Sequence, residues 1–184
     1  MTTLIGLSGS LRAGSLNSAL LRAAVELAPD GVVIEIASIR DVPLYDGDLE
    51  AAQGIPPSVR ALKDRVAAAD GLLIASPEYN QGIPGVLKNA IDWMSRPATD
   101  IARVFGGKPV ALIGATPGRG ATSLAQAAWL PVLRALGTRA WFGGQLGVAG
   151  AGPMVDASGR FTDEPTRARL AVFVAGFAQA ARAR

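Results

Sequence analysis

The residues with the most chemical promise form one short run, Gly9-Ser10-Leu11-Arg12-Ala13-Gly14-Ser15-Leu16-Asn17-Ser18. It follows an apolar stretch, Leu4 to Leu7, and enters apolar positions at helical spacing, so it reads as the turn between a strand and a helix. Glycine lets backbone approach a ligand closely. A helix start adds unpaired N–H groups and the positive end of its dipole, and Ser10, Ser15, Asn17 and Ser18 add short donors. Together these make an anion cradle, to which Arg12 brings a charge-assisted bond. The spacing of Gly9 and Gly14 imitates a Walker loop, but Ser15 stands where the lysine belongs, which argues against a triphosphate with magnesium. No Gly-x-Gly-x-x-Gly follows the strand either, so a monophosphate fits better than a dinucleotide. Without a ligand, the same run is a strand-to-helix turn with a serine cap.

Two further runs have the same placement. Ser76-Pro77-Glu78-Tyr79-Asn80-Gln81-Gly82-Ile83-Pro84-Gly85 ends an apolar stretch and opens a helix. Its proline and Asn-x-Gly suit a plain turn, while its aromatic, its amide and its free backbone groups suit a flat heteroaromatic ring. Glu78 is either a general acid or base or a solvated carboxylate. Thr116-Pro117-Gly118-Arg119-Gly120-Ala121 is again small and glycine-rich. Thr116 and nearby N–H groups could meet the polar edge of the same ring, or simply form a turn. Arg119 could stabilise negative charge on that ring once reduced, or point to solvent or to a neighbouring subunit. The run from Gly143 to Pro153 lacks nucleotide-loop spacing and opens no periodic helix, so it is expected to be a flexible connection or subunit contact. Trp93, Trp129 and Trp141 are read as packing mass.

The composition narrows the chemistry further. With 0 His and 0 Cys, the chain cannot form a Ser-His-Asp triad, a cysteine nucleophile, an iron–sulfur cluster, or a zinc site using those ligands. Disulfides are excluded too. Of 18 basic residues 15 are Arg, scattered rather than clustered, and the net charge is +3, so no nucleic acid partner is expected. No stretch reaches the ~18 apolar residues of a bilayer span, and the start lacks a basic leader with an apolar run. The protein is therefore expected in the cytoplasm.

Something must hold the three loops at one edge. Leu4 to Leu7, Val32 to Ile36 and Leu72 to Ala75 are continuous apolar runs, as expected of strands buried on both faces. Pro109 to Ile113 and Arg139 to Phe142 read as fourth and fifth strands. Between them, apolar positions recur at helical spacing around Leu16 to Leu27, Val59 to Ala69 and Val86 to Met94. Ser123 to Leu136 reads as a helix disturbed near Pro131, and Asp163 to Ala181 as a closing helix capped by Thr162. Asp46 to Pro57 and Gly143 to Gly159 read as surface connections. Alternating strands and helices call for a single doubly wound α/β domain, residues 1–184, with a parallel sheet in a three-layer α/β/α sandwich. In such a sheet, ligands bind beyond the carboxyl ends of the strands, where these loops lie.

Gly9-Ser10-Leu11-Arg12-x-Gly14-Ser15-x-Asn17 and Ser76-Pro77-Glu78-Tyr79-Asn80-x-Gly82-x-Pro84-Gly85-x-Leu87-Lys88-Asn89-Ala90-Ile91-Asp92-Trp93 resemble the signatures of the NAD(P)H-dependent FMN reductase family. That family includes proteins described as chromate and quinone reductases. The resemblance spans essentially the whole chain and implies the flavodoxin-like strand order 2-1-3-4-5. It implies phosphate binding by Ser10, Arg12, Ser15, Leu16 and Asn17, and flavin-ring contacts from Pro77, Glu78, Tyr79, Asn80, Thr116 and Gly118. FMN would be the cofactor and NADPH or NADH the co-substrate. The implied cycle is ping-pong, with a quinone, a metal oxyanion or another small electron acceptor reduced second, and the implied assembly is a homodimer or homotetramer. No catalytic side chain is required, because the flavin carries the chemistry. Two alternatives share the fold: a flavodoxin-type electron carrier, against which the basic balance argues, and a redox sensor. A receiver-type signalling domain would need an aspartate where Ser76 stands.

Overall fold

The computed structural model describes residues 1–183. The strands are β1 (Thr2–Ser8), β2 (Val32–Ala37), β3 (Gly71–Ala75), β4 (Pro109–Ala115), β5 (Arg139–Ala140) and β6 (Leu146–Val148). The helices are α1 (Leu16–Glu26), α2 (Gly47–Gln53), α3 (Pro57–Ala68), α4 (Gly85–Met94), α5 (Ile101–Phe105), α6 (Ser123–Ala135) and α7 (Glu164–Arg182). The sheet runs β2-β1-β3-β4-β5, with β6 also on β4, and every pairing is parallel. This is the flavodoxin-like order expected from the sequence.

Alternation along the strands divides the core in two. Leu4, Leu73 and Ile113 point into a cluster with Leu20 and Leu21 of α1 and Val174 and Phe177 of α7. Ile5, Leu72, Ile74 and Val110 point the other way, onto Leu62 and Val66 of α3, Leu87 and Ile91 of α4, Phe105 of α5 and Trp129 of α6. Both faces of the central strands are thus covered, which explains why β3 and β4 are apolar throughout and β1 is apolar from Leu4 to Leu7. Trp93 and Trp129 are fully buried, and Trp141 is partly buried against the first cluster. Among the described residues, no helix is long and apolar enough to cross a membrane.

Three local expectations are corrected. The stretch from Asp46 to Pro57 contains α2, which buries no residue and so has no apolar period to detect. It is capped by Asp46, whose carboxylate accepts the Asp48 N–H at 2.9 Å, and tied down by the Glu50–Arg96 ion pair at 2.8 Å. Helix α6 continues through Pro131 to Ala135. Pro131 lies on the exposed side, where water can satisfy the carbonyl that loses its N–H, while Trp129 and Leu133 anchor the buried side. Helix α7 is capped by Asp163, which accepts the Thr166 N–H at 2.9 Å, whereas Thr162 donates to the Met154 carbonyl.

The fifth strand is interrupted. It pairs with β4 over Arg139 and Ala140, leaves, and returns as Leu146–Val148 within the stretch expected to be a connection. Trp141 is the cause. Its ring packs edge-on to Phe173 at 4.9 Å, and a Cβ on Gly143 would fall 2.6 Å from its indole nitrogen. The chain bulges around this ring, which only glycine permits at such close approach.

Candidate functional site

The loops after β1, β3 and β4 meet at the carboxyl edge of the sheet. The first two touch directly: the Gly9 N–H donates to the Ala75 carbonyl at 2.9 Å, and a Cβ on Gly9 would lie 2.8 Å from Pro77 Cδ. Between the loops runs a cleft of about 690 Å³. Of the residues singled out in the sequence, Ser10, Arg12, Ser15, Leu16, Asn17, Pro77, Glu78, Tyr79 and Thr116 line it. Asn80, Gly118 and Arg119 do not.

The first loop is built as a cradle. Ser15 caps α1, its hydroxyl accepting the Ser18 N–H at 3.1 Å, and Leu16 and Asn17 follow at the helix start, where N–H groups have no intrahelical acceptor. Arg12 donates to the Gly14 carbonyl at 2.7 Å, which folds its guanidinium over the loop. The Asn17 side chain is used differently from the expected phosphate donor: it is 3% exposed and exchanges two hydrogen bonds with the backbone of Ala115. Its backbone N–H is the group the helix start leaves available.

The second loop closes in a two-residue turn. Tyr79 and Gly82 exchange backbone hydrogen bonds at 3.2 and 3.0 Å around Asn80 and Gln81, both at positive φ (50° and 61°). Asparagine adopts this conformation readily, glutamine less so, and the turn leaves Tyr79 50% exposed beside the cleft. The Tyr79 hydroxyl lies 3.5 Å from Ser10 Oγ, joining the two loops. Glu78 is partly exposed but engaged. Its Oε2 accepts the N–H groups of Leu124 at 2.9 Å and Ala125 at 3.1 Å and so caps α6.

That cap comes from outside because Thr122, at the head of α6, is left-handed (φ 58°) and makes no side-chain cap. Ala121 is also at positive φ (49°), and this corner sits directly on two paired strand glycines. A Cβ on Gly114 would lie 2.0 Å from Thr122 Oγ1, and one on Gly147 would lie 2.2 Å from the Ala121 carbonyl. In the third loop itself, Thr116 Oγ1 accepts the Gly118 N–H at 3.1 Å.

Two contributors to the cleft escaped the sequence reading. Arg22 of α1 reaches it and donates to the Gly159 carbonyl at 2.8 Å. The wall opposite is drawn from residues 152–159, within the stretch expected to be a surface connection. Asp156 organises it, with Oδ1 accepting the Ser158 hydroxyl at 2.6 Å and the N–H groups of Ser158 and Arg160. The Ser158 hydroxyl bond, followed by the Arg160 N–H, holds the Asp156 carboxyl below its usual range. The Asp-x-Ser-Gly pattern of a side-chain-stabilised turn was the available signal.

One end of this cleft is a helix start with two arginines beside it, suited to a phosphate monoester. The other end has an exposed tyrosine and two prolines, suited to a flat ring. The residues present therefore fit FMN. Sheet order and cleft together define a flavodoxin-like flavoprotein. The profile of the NADPH-dependent FMN reductase family matches residues 2–152, and the chain belongs to that family. It is 44% identical to an NAD(P)H-dependent FMN reductase of Pseudomonas aeruginosa over 89% of this chain and 86% of the relative. It is 39% identical to a 2-hydroxy-1,4-benzoquinone reductase of a Burkholderia species, over 92% and 91% of the two chains. Among solved structures, FerB, a flavoenzyme NAD(P)H:(acceptor) oxidoreductase of Paracoccus denitrificans, superposes with a TM-score of 0.86 at 37% identity, covering 97% of this chain and 96% of that one. The protein is thus an oxidoreductase with FMN as cofactor and NAD(P)H as co-substrate.

Proposed function

We propose that this chain transfers reducing equivalents from NAD(P)H to small acceptors in a ping-pong cycle, with quinones and metal oxyanions of the chromate type as the acceptor classes. When bound, FMN would supply the ability to take up a hydride and to release one or two electrons, so no side chain need form a covalent bond to substrate, and the protons of quinone reduction can come from water. The observation that carries the reading is the cleft itself, with its anion cradle at one end and half-exposed Tyr79 at the other.

In this reading Ser10, Arg12, Ser15 and the N–H groups of Leu16 and Asn17 hold the phosphate. Pro77, Glu78, Tyr79 and Thr116 form the ring side, Glu78 by fixing the second loop to α6, while Asn80 and Gly118 shape the turns behind them. Nicotinamide and acceptor would share the approach to the ring beside half-exposed Tyr79, which is why ping-pong order is expected. Arg119 is exposed on the third loop, available to favour negative charge nearby. The protein would act in the cytoplasm as a homodimer or homotetramer.

Anaerobic titration of the purified yellow protein with NADPH and NADH tests the first half-reaction. Initial rates against a panel of quinones and chromate test the second. Parallel double-reciprocal plots are expected. Colourless protein with no affinity for added FMN would overturn the reading, and bleaching by a nicotinamide without turnover on any acceptor would leave an electron carrier instead.

A further inference from the structure

Beside the first loop, on the side away from β3, a second cavity of about 430 Å³ lies between α1 and the chain leaving β2. Arg12 of the loop, Arg22 of α1 and Arg40 after β2 all reach it, as do Ser10 and Ser38, and no acidic side chain lines it. Each guanidinium is held by a backbone carbonyl: Arg12 by Gly14 at 2.7 Å, Arg22 by Gly159 at 2.8 Å and Arg40 by Leu11 at 2.5 Å. Among the described residues none of these arginines forms a salt bridge, whereas Arg65, Arg96, Arg103, Arg160 and Arg167 all do.

A carbonyl orients a guanidinium through one N–H without neutralising it, which leaves the charge and the remaining donors for another group. Arg12 and Arg22 also flank the flavin cradle, but Arg40 faces this cavity alone, so the three guanidiniums keep a positive potential that a second anion relieves, and the planar donor fork matches a phosphate monoester. Ser38 adds to this. Its Oγ accepts the Arg40 N–H at 3.1 Å, fixing the turn and leaving the hydroxyl proton free to donate. Ser10, Arg12 and Arg22 also line the flavin cleft, so an anion here sits next to the cradle rather than in it.

The co-substrate indicates which phosphate it takes: NADPH carries a single phosphate monoester, on a ribose 2′ oxygen, and arginine is the side chain that accommodates this group in dinucleotide-binding sheets. Arg40 and Ser38, on the chain leaving β2, line this cavity and not the flavin cleft. We infer that Arg40 and Ser38, with Arg12 and Arg22, form a site for the 2′-phosphate of NADPH, and that this chain discriminates NADPH from NADH through it. The inference rests on the reading of the neighbouring cleft as the FMN site.

The test uses the FMN-loaded protein, its Arg40→Gln and Ser38→Asp variants, and both nicotinamides. Ser38→Asp leaves the Arg40–Leu11 bond in place and sets a negative charge against the phosphate. In each variant kcat/KM for NADPH should fall by about tenfold or more, with the NADH value within about twofold of the parent. In the parent, 2′,5′-ADP should compete with NADPH, while 5′-ADP and inorganic phosphate at the same concentration should not. Equal losses with both nicotinamides, or no competition by 2′,5′-ADP, would overturn the inference. Loss of FMN from both variants would also overturn it, by assigning the cavity to the flavin phosphate. Failure of the flavin reading is distinct: the parent would then be colourless, and calorimetry with 2′,5′-ADP would still report on the arginine cavity.

Discussion

Asn17 grips Ala115 with both halves of its amide, Nδ2 donating to the carbonyl and Oδ1 accepting the N–H, each at 2.9 Å. The contact joins the first turn of α1 to the last residue of β4, across 98 positions of sequence. It supplies both hydrogen bonds of a buried backbone unit at the floor of the cleft.

Asn17→Ala should therefore act on folding first. Leaving two buried backbone groups unpaired should cost about 2 kcal/mol, read from urea unfolding of the FMN-free protein. Asn17→Asp should not restore it, because a carboxylate would face the Ala115 carbonyl. A variant with unchanged stability but lost flavin would return Asn17 to the phosphate.

Arg12→Ala should show the opposite pattern. The side chain is exposed and its one bond is local, so stability should change by less than about 0.5 kcal/mol. Loss of a charge-assisted phosphate bond should weaken FMN binding by roughly tenfold or more, measurable from flavin fluorescence on titration. Unchanged affinity removes Arg12 from the site.

Glu78→Ala removes the cap of α6 and should destabilise the fold by about 1 kcal/mol, with faster hydrogen exchange at Leu124 and Ala125. Glu78→Gln keeps a neutral acceptor and should recover part of the loss. If Glu78 served only as a proton donor or acceptor, both variants would lose turnover and neither would alter exchange.

Acid should lower stability through Asp100. Its bonds from Arg103, then from Lys63, hold its carboxyl well below the ordinary value of 3.8. A depressed native pKa means that the stabilisation is present at neutral pH and is lost as pH falls below 3.8 toward the native value. Lys63 is 3% exposed and, among the described residues, its ammonium meets Asp100 at 2.7 Å and the Arg96 carbonyl, so Asp100→Asn leaves a buried cation poorly matched. It should cost about 2 kcal/mol at pH 7, since Arg103 is half exposed and adds little. The difference from the parent should shrink below pH 4 in acid unfolding curves.

What could be read in advance followed from local order. Strand β3 is apolar throughout, and β1 from Leu4 to Leu7, because helices cover both their faces, and that leaves a continuous run in the sequence. The loops after β1 and β3 declared themselves by composition. The rest depended on distant partners. Nothing near Asn17 announces Ala115, and nothing near Glu78 announces α6, so a brace and a cap both looked like ligand groups. Arg22 and Asp156 joined the cleft only because the split fifth strand carries the chain back over β4. Helix α2 was invisible because it is held by its cap and an ion pair rather than by an apolar face.

Gly114 and Gly147, side by side beneath the Ala121–Thr122 corner, leave no slack in the third loop. An insertion there would have to lift the corner off bare backbone, with no side chain to fill the gap. Changes of loop length that reshape the cleft must therefore come from elsewhere on its rim, while this glycine-floored corner stays fixed.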